Sequence, residues 1–270
     1  MDVLHTRFSE RGARLLVVDA ASHHRIMSTS GEYDDQKHVY LGWSEPEHSP
    51  QDDPGLHHWF AVRGEADGTT LREAAASPLL RDLVTTAAAV LAWHDSNPVC
   101  ERCHGESVAA HGGFVRQCLA CEQWLFPRQD PAIIIAITDP DDRLLLAHQA
   151  SWPEGRVSVV AGFVEAGETV EQTAAREVWE EVGLRLDAVR YVTSQPWPFP
   201  RSLMLGFVGT ASGHPVPDGR EIEWARWFTR HEYQRATRDG EISAPSGQSV
   251  GGRMIRAWLA GQLPSPQPPA

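Results

Sequence analysis

The sequence predicts an α/β protein in which a set of strands encloses one acidic helix, and three observations predict it. Residues 162–184, GFVEAGETVEQTAAREVWEEVGL, place Gly162, Glu168, Arg176, Glu177, Glu180, Glu181 and Gly183 at fixed offsets. Apolar runs of strand length flank this stretch, AIIIAIT at 132–138 among them. The chain's four cysteines all lie ahead of it, as two C-x2-C pairs.

The acidic stretch is helical from about Thr169 to Val182, because alanine, arginine and glutamate are good helix formers and no proline interrupts them. Gly183 follows the last acid, where a left-handed residue ends a helix most easily. On that helix Glu177 and Glu181 stand one turn apart on a common face, with Glu180 beside them. Three carboxylates on one face repel each other, and a divalent cation relieves the repulsion. Hard oxygen ligands suit Mg²⁺ or Mn²⁺, and Mg²⁺ usually works on phosphates. The bland alternative is a solvated acidic face.

Cys100/Cys103 and Cys118/Cys121 are separated by 14 residues, a spacing that can place four thiolates around a structural Zn²⁺. His104-Gly105 resembles a knuckle turn, and Val108 to Gln117 reads as a short hairpin around Gly112-Gly113. Four cysteine ligands leave no open coordination position, so such a zinc is structural. Two disulfides or free thiols are the alternative. His104 and His111 are spare ligand candidates that read better as surface histidines.

A second motif follows the acidic stretch. Residues 194–202, SQPWPFPRS, alternate three prolines with two aromatics, which makes the backbone stiff and extended. Trp197 and Phe199 form either a wall for a planar ring, flanked by Gln195 and Ser202, or a loop packed on the core.

Four regions result: a small α+β domain at 1–94, a ribbon at 95–130, an α/β domain at 131–262 and a disordered proline-rich tail at 263–270. The first has strands at Arg14–Asp19, His38–Leu41 and His58–Val62, an exposed polar loop at Glu45–Gly55, and a helix at Leu79–Trp93 after Pro78. The third has a hairpin of Ala132–Thr138 with Leu144–His148. Further strands are expected at Val157–Ala161, Arg190–Thr193, Leu203–Thr210 and Glu223–Thr229, and a closing helix at Gly251–Ala260. No apolar run reaches membrane-spanning length and the N-terminus is too polar for an export signal, so the expected location is cytoplasmic. A net charge of −12 opposes broad, sequence-independent binding to nucleic acid. It leaves room for a nucleotide whose charge a metal meets locally.

The acidic stretch matches G-x5-E-x7-R-E-U-x-E-E-x-G-U, U being aliphatic, with Val178 and Leu184 at the aliphatic positions. It resembles the Nudix hydrolases, which cleave nucleoside diphosphates linked to another moiety. The cysteine ribbon ahead of the box and SQPWPFPxS behind it resemble the NADH pyrophosphatase branch, over roughly residues 85–260. The resemblance implies an α/β/α sandwich with a mixed sheet, and hydrolysis of the pyrophosphate of NAD(H) to NMN(H) and AMP. Its implied metal ligands are Glu177, Glu180 and Glu181, the carbonyl of Ala161, and a later glutamate. Glu221 fits that place best, and Glu223 competes. Glu177 or Glu181 is the general base toward the attacking water. Arg176 braces the acids and Glu168 holds the box loop.

Substrate rings are expected on Phe163 and on Phe126, before Pro127. Gln195, Pro196, Trp197, Pro198, Phe199, Pro200, Arg201 and Ser202 meet the other half of the dinucleotide. Where the family has a Ser-Ile-Ala turn, this chain has Ser249-Val250-Gly251, and Gly251 remains a candidate for a backbone contact. The resemblance also implies a homodimer. Three readings compete with NAD(H) hydrolysis: removal of an NAD cap from RNA, which breaks the same bond; another diphosphate substrate such as ADP-ribose or a nucleotide sugar; and a non-catalytic nucleotide-binding scaffold.

Overall fold

The structure, a computed structural model, describes residues 3–10, 12–44, 57–70, 74, 77–243 and 245–266. The loop expected at 45–55 lies outside the described residues, as do residues 267–270 of the expected tail; residues 263–266 carry no regular element. The chain divides into two compact units, residues 1–128 with 198–201, and residues 129–197 with 202–270. The ribbon expected as its own region therefore lies inside the first unit.

In the first unit, α1 (Val3–Ser9), β1 (Arg14–Val18), β2 (His24–Ser28), β3 (Val39–Ser44), β4 (His57–Arg63) and α2 (Pro78–Ser96) form one layer pair. The sheet runs β2-β1-β4-β3, with β1 and β4 parallel. The period-two alternation of β1 explains its two-sided burial. Leu16 and Val18 pack with Val84, Ala87, Val90 and Leu91 of α2, while Leu15 and Val17 pack with Phe8 and Phe60. Ser77 caps α2 and Pro78 opens it, the order a helix start favours. The strand β2 and the helix α1 were not foreseen; four of the five residues of β2 are exposed, so no apolar alternation announces it.

The ribbon supplies β5 (Ser107–Ala110), β6 (Val115–Cys118) and β7 (Trp124–Leu125), the first two forming the hairpin that Gly112-Gly113 foretold. Gln36, in the turn ahead of β3, pairs with both the N–H and the carbonyl of Ala109, at 2.8 and 3.2 Å.

The second unit carries β8 (Asp130–Thr138), β9 (Leu144–Gln149), β10 (Val160–Phe163), α3 (Val170–Val182), β11 (Leu186–Trp197), β12 (Ser202–Ala211), β13 (Ile222–Phe228), α4 (Arg230–Arg238) and α5 (Val250–Leu259). Its sheet runs β11-β12-β8-β9-β13 with β10 on β8, and β8 is parallel to β12 but antiparallel to β9 and β10. The mixed sheet is as expected. Alternate residues of β8 face opposite cores. Ile133, Ile135 and Ile137 pack against Ala174, Val178 and Val182 of α3. Ile134 and Ala136 pack in the core of Tyr233, Met254, Ile255 and Trp258, from α4 and α5. The result is the α/β/α sandwich.

Two expectations are corrected here, and one element was missed. The strand set at Val157–Ala161 is β10 at Val160–Phe163, so it begins three residues later and continues through Gly162 and Phe163 of the box. The helix α4 was missed: it is almost wholly polar, and only Tyr233 and Ala236 are buried, although its Thr229–Glu232 capping box was readable. SQPWPFPRS is not extended throughout. Gln195, Pro196 and Trp197 complete β11, an edge strand where proline is tolerated, and residues 198–201 turn back toward β12 with the Phe199–Pro200 peptide cis.

Candidate active site

The box helix α3 is closed at both ends by its own sequence. The Thr169 hydroxyl accepts from the N–H of Gln172, and the Gln172 side chain accepts from the Thr169 N–H. Such a cap contributes about 1 kcal/mol. Gly183 takes φ 65° at the C-cap, a left-handed position that favours glycine, and donates to the Trp179 carbonyl at 3.0 Å. Because Ala174, Val178 and Val182 face the sheet, Glu177 is carried toward β10 and Glu181 toward the 213–222 loop, with Glu180 beside them.

Arg176 is the hub of the charged residues. Its Nε and Nη2 donate to the two oxygens of Glu168 at 2.7 and 2.9 Å, and its Nη1 reaches Glu177 at 2.9 Å and Glu180 at 3.1 Å. Nη2 also donates to the Phe163 carbonyl at 2.9 Å. The Arg176 guanidinium, helped by the Glu165 N–H and the Thr173 hydroxyl, holds the Glu168 carboxyl down at about 2, and the guanidinium is itself driven above its ordinary range. Glu168 is thus occupied in holding the loop to the helix.

Glu177 lies directly over Gly162, where a Cβ would fall inside its carboxylate. A side chain at 162 would therefore displace the Glu177 carboxylate, the flexible end of that side chain, from its place over the strand. Burial outweighs the Arg176 pairing and raises the Glu177 carboxyl. Glu181 is only 5% exposed. Burial first, then the charges of Glu221, Glu177, Asp218 and Glu180, push its carboxyl up to about 8. A buried acid surrounded by acids and, among the described residues, without a cationic partner fits a divalent cation. Glu177, Glu180, Glu181 and Glu221 are side chains that could hold one, with Ala161 adjoining Gly162 on β10.

The two competing later glutamates part company. Glu221 raises both Glu177 and Glu181 by its charge, and Gln149 Nε2 donates to it at 2.9 Å. Glu223 sits where the β13–β9 register slips between Ile222 and Trp224, and it pairs with His148 at 3.5 Å.

The expected substrate residues divide by environment. Phe163 is 56% exposed beside the acids, and Trp197 and Phe199 are also exposed. Phe126 is 67% exposed and belongs to the first unit, as do Pro198, Phe199, Pro200 and Arg201. Pro196 pairs with Leu203 across the hairpin, and Ser202 is buried opposite Trp197. Gln195 is spent on structure: its oxygen accepts from the Val250 N–H at 2.8 Å and its amide donates to the Gln248 carbonyl at 3.2 Å, at the start of α5. Gly251 is buried under Ile134 and Val159, and a Cβ there would come within 3.1 Å of Ile134.

In the first unit the four sulfurs of Cys100, Cys103, Cys118 and Cys121 lie within 4.8 Å of one another, and no cysteine is in a disulfide. The backbone N–H groups of Cys121 and Ala120 hold the Cys118 thiol down at about 6. Four convergent sulfurs, one readily ionised, fit a tetrahedral thiophilic metal.

A family model described as the NUDIX domain matches residues 127–246. The chain contains a NUDIX domain. Over 191 residues the chain is 43% identical to the NAD-capped RNA hydrolase NudC of Mycobacterium bovis (strain BCG / Pasteur 1173P2), and the alignment takes in 66% of this chain and 60% of that protein. It is 36% identical over 190 residues to the human NAD-capped RNA hydrolase NUDT12, covering 66% of this chain and 41% of that one. The chain therefore spans less than two thirds of these relatives. A NUDIX hydrolase from Nitrosomonas europaea of known structure aligns with 61% of this chain and 93% of its own at 22% identity, TM-score 0.48.

Within the NUDIX domain, three residues around the acids escaped the sequence reading. Thr173 donates to Glu168 at 2.9 Å, Gln149 holds Glu221, and Asp218 folds the turn before Glu221. Only Asp218 carried a sequence signal, an Asp-Gly turn pair three residues ahead of Glu221.

Proposed function

We propose that this chain hydrolyses the pyrophosphate bond of NAD(H), giving NMN(H) and AMP, with Mg²⁺ or Mn²⁺ as cofactor. The observation that carries it is Glu181, a carboxyl raised by burial and then by the charges of Glu221 and Glu177, on the box helix whose Arg176 holds the carbonyl of the exposed Phe163. Glu177, Glu180, Glu181, Glu221 and the Ala161 carbonyl would hold the cation, which offsets charge on the diphosphate. Arg176 keeps Glu177 and Glu180 in place and Glu168 keeps Arg176 in place. Glu177 or Glu181 takes a proton from the attacking water, whose oxygen bonds one phosphorus as the bridging P–O bond breaks. Phe163 stacks a substrate ring, Trp197 offers further aromatic surface, and Phe199 of the first unit is a separate aromatic candidate. Phe126, Pro196, Pro198, Pro200, Arg201, Ser202 and Gly251 are the remaining substrate candidates, while Gln195 acts from behind the wall. The cysteines would hold a structural Zn²⁺, and their free state suits a reducing, cytoplasmic setting. A homodimer completes the proposal.

The same bond caps some RNAs, and the relatives that are 36–43% identical, NAD-capped RNA hydrolases by name, favour this second reading. Purified chain with NADH, and in parallel with NAD-capped RNA, should release NMN(H) only when Mg²⁺ or Mn²⁺ is supplied. Turnover that EDTA leaves untouched, or release of neither product, would overturn the proposal; the ratio of kcat/KM values ranks the two substrates.

A further inference from the structure

We propose that Asp218 is a positioning residue of the acidic site: it builds the turn that carries Glu221 and ties that turn to the box helix at Glu181. The inference rests on the reading of Glu177, Glu181 and Glu221 as ligands of one cation.

The geometry is local and complete. Asp218 Oδ1 accepts from the N–H groups of Ile222 at 2.8 Å and of Arg220 and Glu221 at 3.2 Å, and Oδ2 accepts from Glu221 again at 3.2 Å. The Gly219 N–H closes the same turn on the Ile222 carbonyl at 3.1 Å. On its other side the Asp218 N–H donates to the Glu181 carbonyl at 3.1 Å, next to a bond from the Val216 N–H to the Val182 carbonyl at 2.8 Å. The last carbonyls of a helix lack partners within it, and these two loop donors supply them. One residue therefore uses its backbone to grip the end of α3 and its carboxylate to fold residues 218–222.

The consequence concerns distance between ligands. Glu181 belongs to α3 and Glu221 to the loop before β13, 40 residues later in the chain. No covalent constraint holds them together. Asp218 replaces that constraint with hydrogen bonds whose acceptor is charged, the stronger kind. Because its oxygens are committed to three backbone N–H groups, Asp218 acts through Glu221 and not as a ligand. Residues in this position behind metal ligands typically control affinity about 10–100-fold.

The test uses the full chain with Asp218→Ala and Asp218→Asn, measuring Mn²⁺ affinity by EPR, the unfolding midpoint in EDTA, and NADH turnover at limiting and saturating Mn²⁺. Asp218→Ala should raise the Mn²⁺ Kd about tenfold or more. Its turnover should fall at limiting Mn²⁺ and recover at saturation, with the chain still folded. Asn keeps one acceptor oxygen for Ile222 and should lose less. Wild-type affinity in a folded Asp218→Ala overturns the inference. If Asp218→Ala does not fold, unchanged affinity in Asp218→Asn overturns it instead. A wild-type chain that binds no Mn²⁺, or binds it as tightly after Glu181→Gln, takes down the ligand reading and this inference with it.

Discussion

Arg176 donates to the carbonyl of Phe163 at 2.9 Å, which pins the box helix to the last residue of β10. The same guanidinium holds Glu168, Glu177 and Glu180. The planar fork of arginine can serve such a set at once; the ammonium of lysine cannot.

Arg176→Ala should therefore destabilise the NUDIX domain by about 2 kcal/mol or more, since hydrogen bonds to charged groups contribute about 1.5–3 kcal/mol and partly buried acids lose their partner. Arg176→Lys should recover only part. Urea unfolding of the full chain measures both, and a Lys variant as stable as wild type would show that charge alone suffices.

Gly162→Ala should reduce NADH turnover by about 10²-fold or more, the scale of losing one positioned acid–base group. The added Cβ overlaps the Glu177 carboxylate, so Glu177 must leave its place while the strand and its pairing with Ile133 remain. Circular dichroism and kcat on one preparation check it; near-wild-type turnover in a folded variant contradicts the overlap.

Glu181 gives a pH dependence with a defined sign. Its carboxyl stands at about 8 in the folded, cation-free chain against an ordinary 4.5. Between those values the folded state holds the extra proton, so stability is greatest at the acid end and falls as pH rises toward 8. Added Mg²⁺ should raise Tm more at pH ~8 than at pH ~5.5, because the cation competes with that proton. Glu181→Gln should flatten the Tm profile in EDTA and shrink the Mg²⁺ effect. An unchanged profile in the variant would falsify the assignment.

Gln195→Ala should lower stability by about 1 kcal/mol, the usual size of a lost helix cap, because the Val250 N–H and Gln248 carbonyl lose their partners. A pure substrate contact would raise KM and leave the unfolding midpoint alone, so the two measurements separate the roles.

Much of the site was legible. Thr169, the helix formers and Gly183 delimit α3, and the i, i+4 spacing places Glu177 and Glu181 on one flank. The two C-x2-C pairs foretold four convergent sulfurs. Strand β1 and the apolar run of β8 read correctly because their burial is continuous. The edge strand β2 and the helix α4 were missed, since neither carries an apolar pattern and only the capping box of α4 marked it in the sequence.

The choice between Glu221 and Glu223 shows where local reading stops. Plain alternation gives both the same face, but the register slip at Ile222/Trp224 breaks the period of two and leaves Glu223 with His148. Gln195 is a second case: its partners lie 53 and 55 residues away, beyond any local pattern.

By itself, then, the sequence determined which chemical groups stand one helical turn apart, because backbone propensity and spacing act within a few residues. The tertiary structure alone decided which acid is buried, which distant glutamate joins it and which side chains are spent on scaffolding. Those outcomes depend on burial and on contacts between segments brought together only when the sheet assembles.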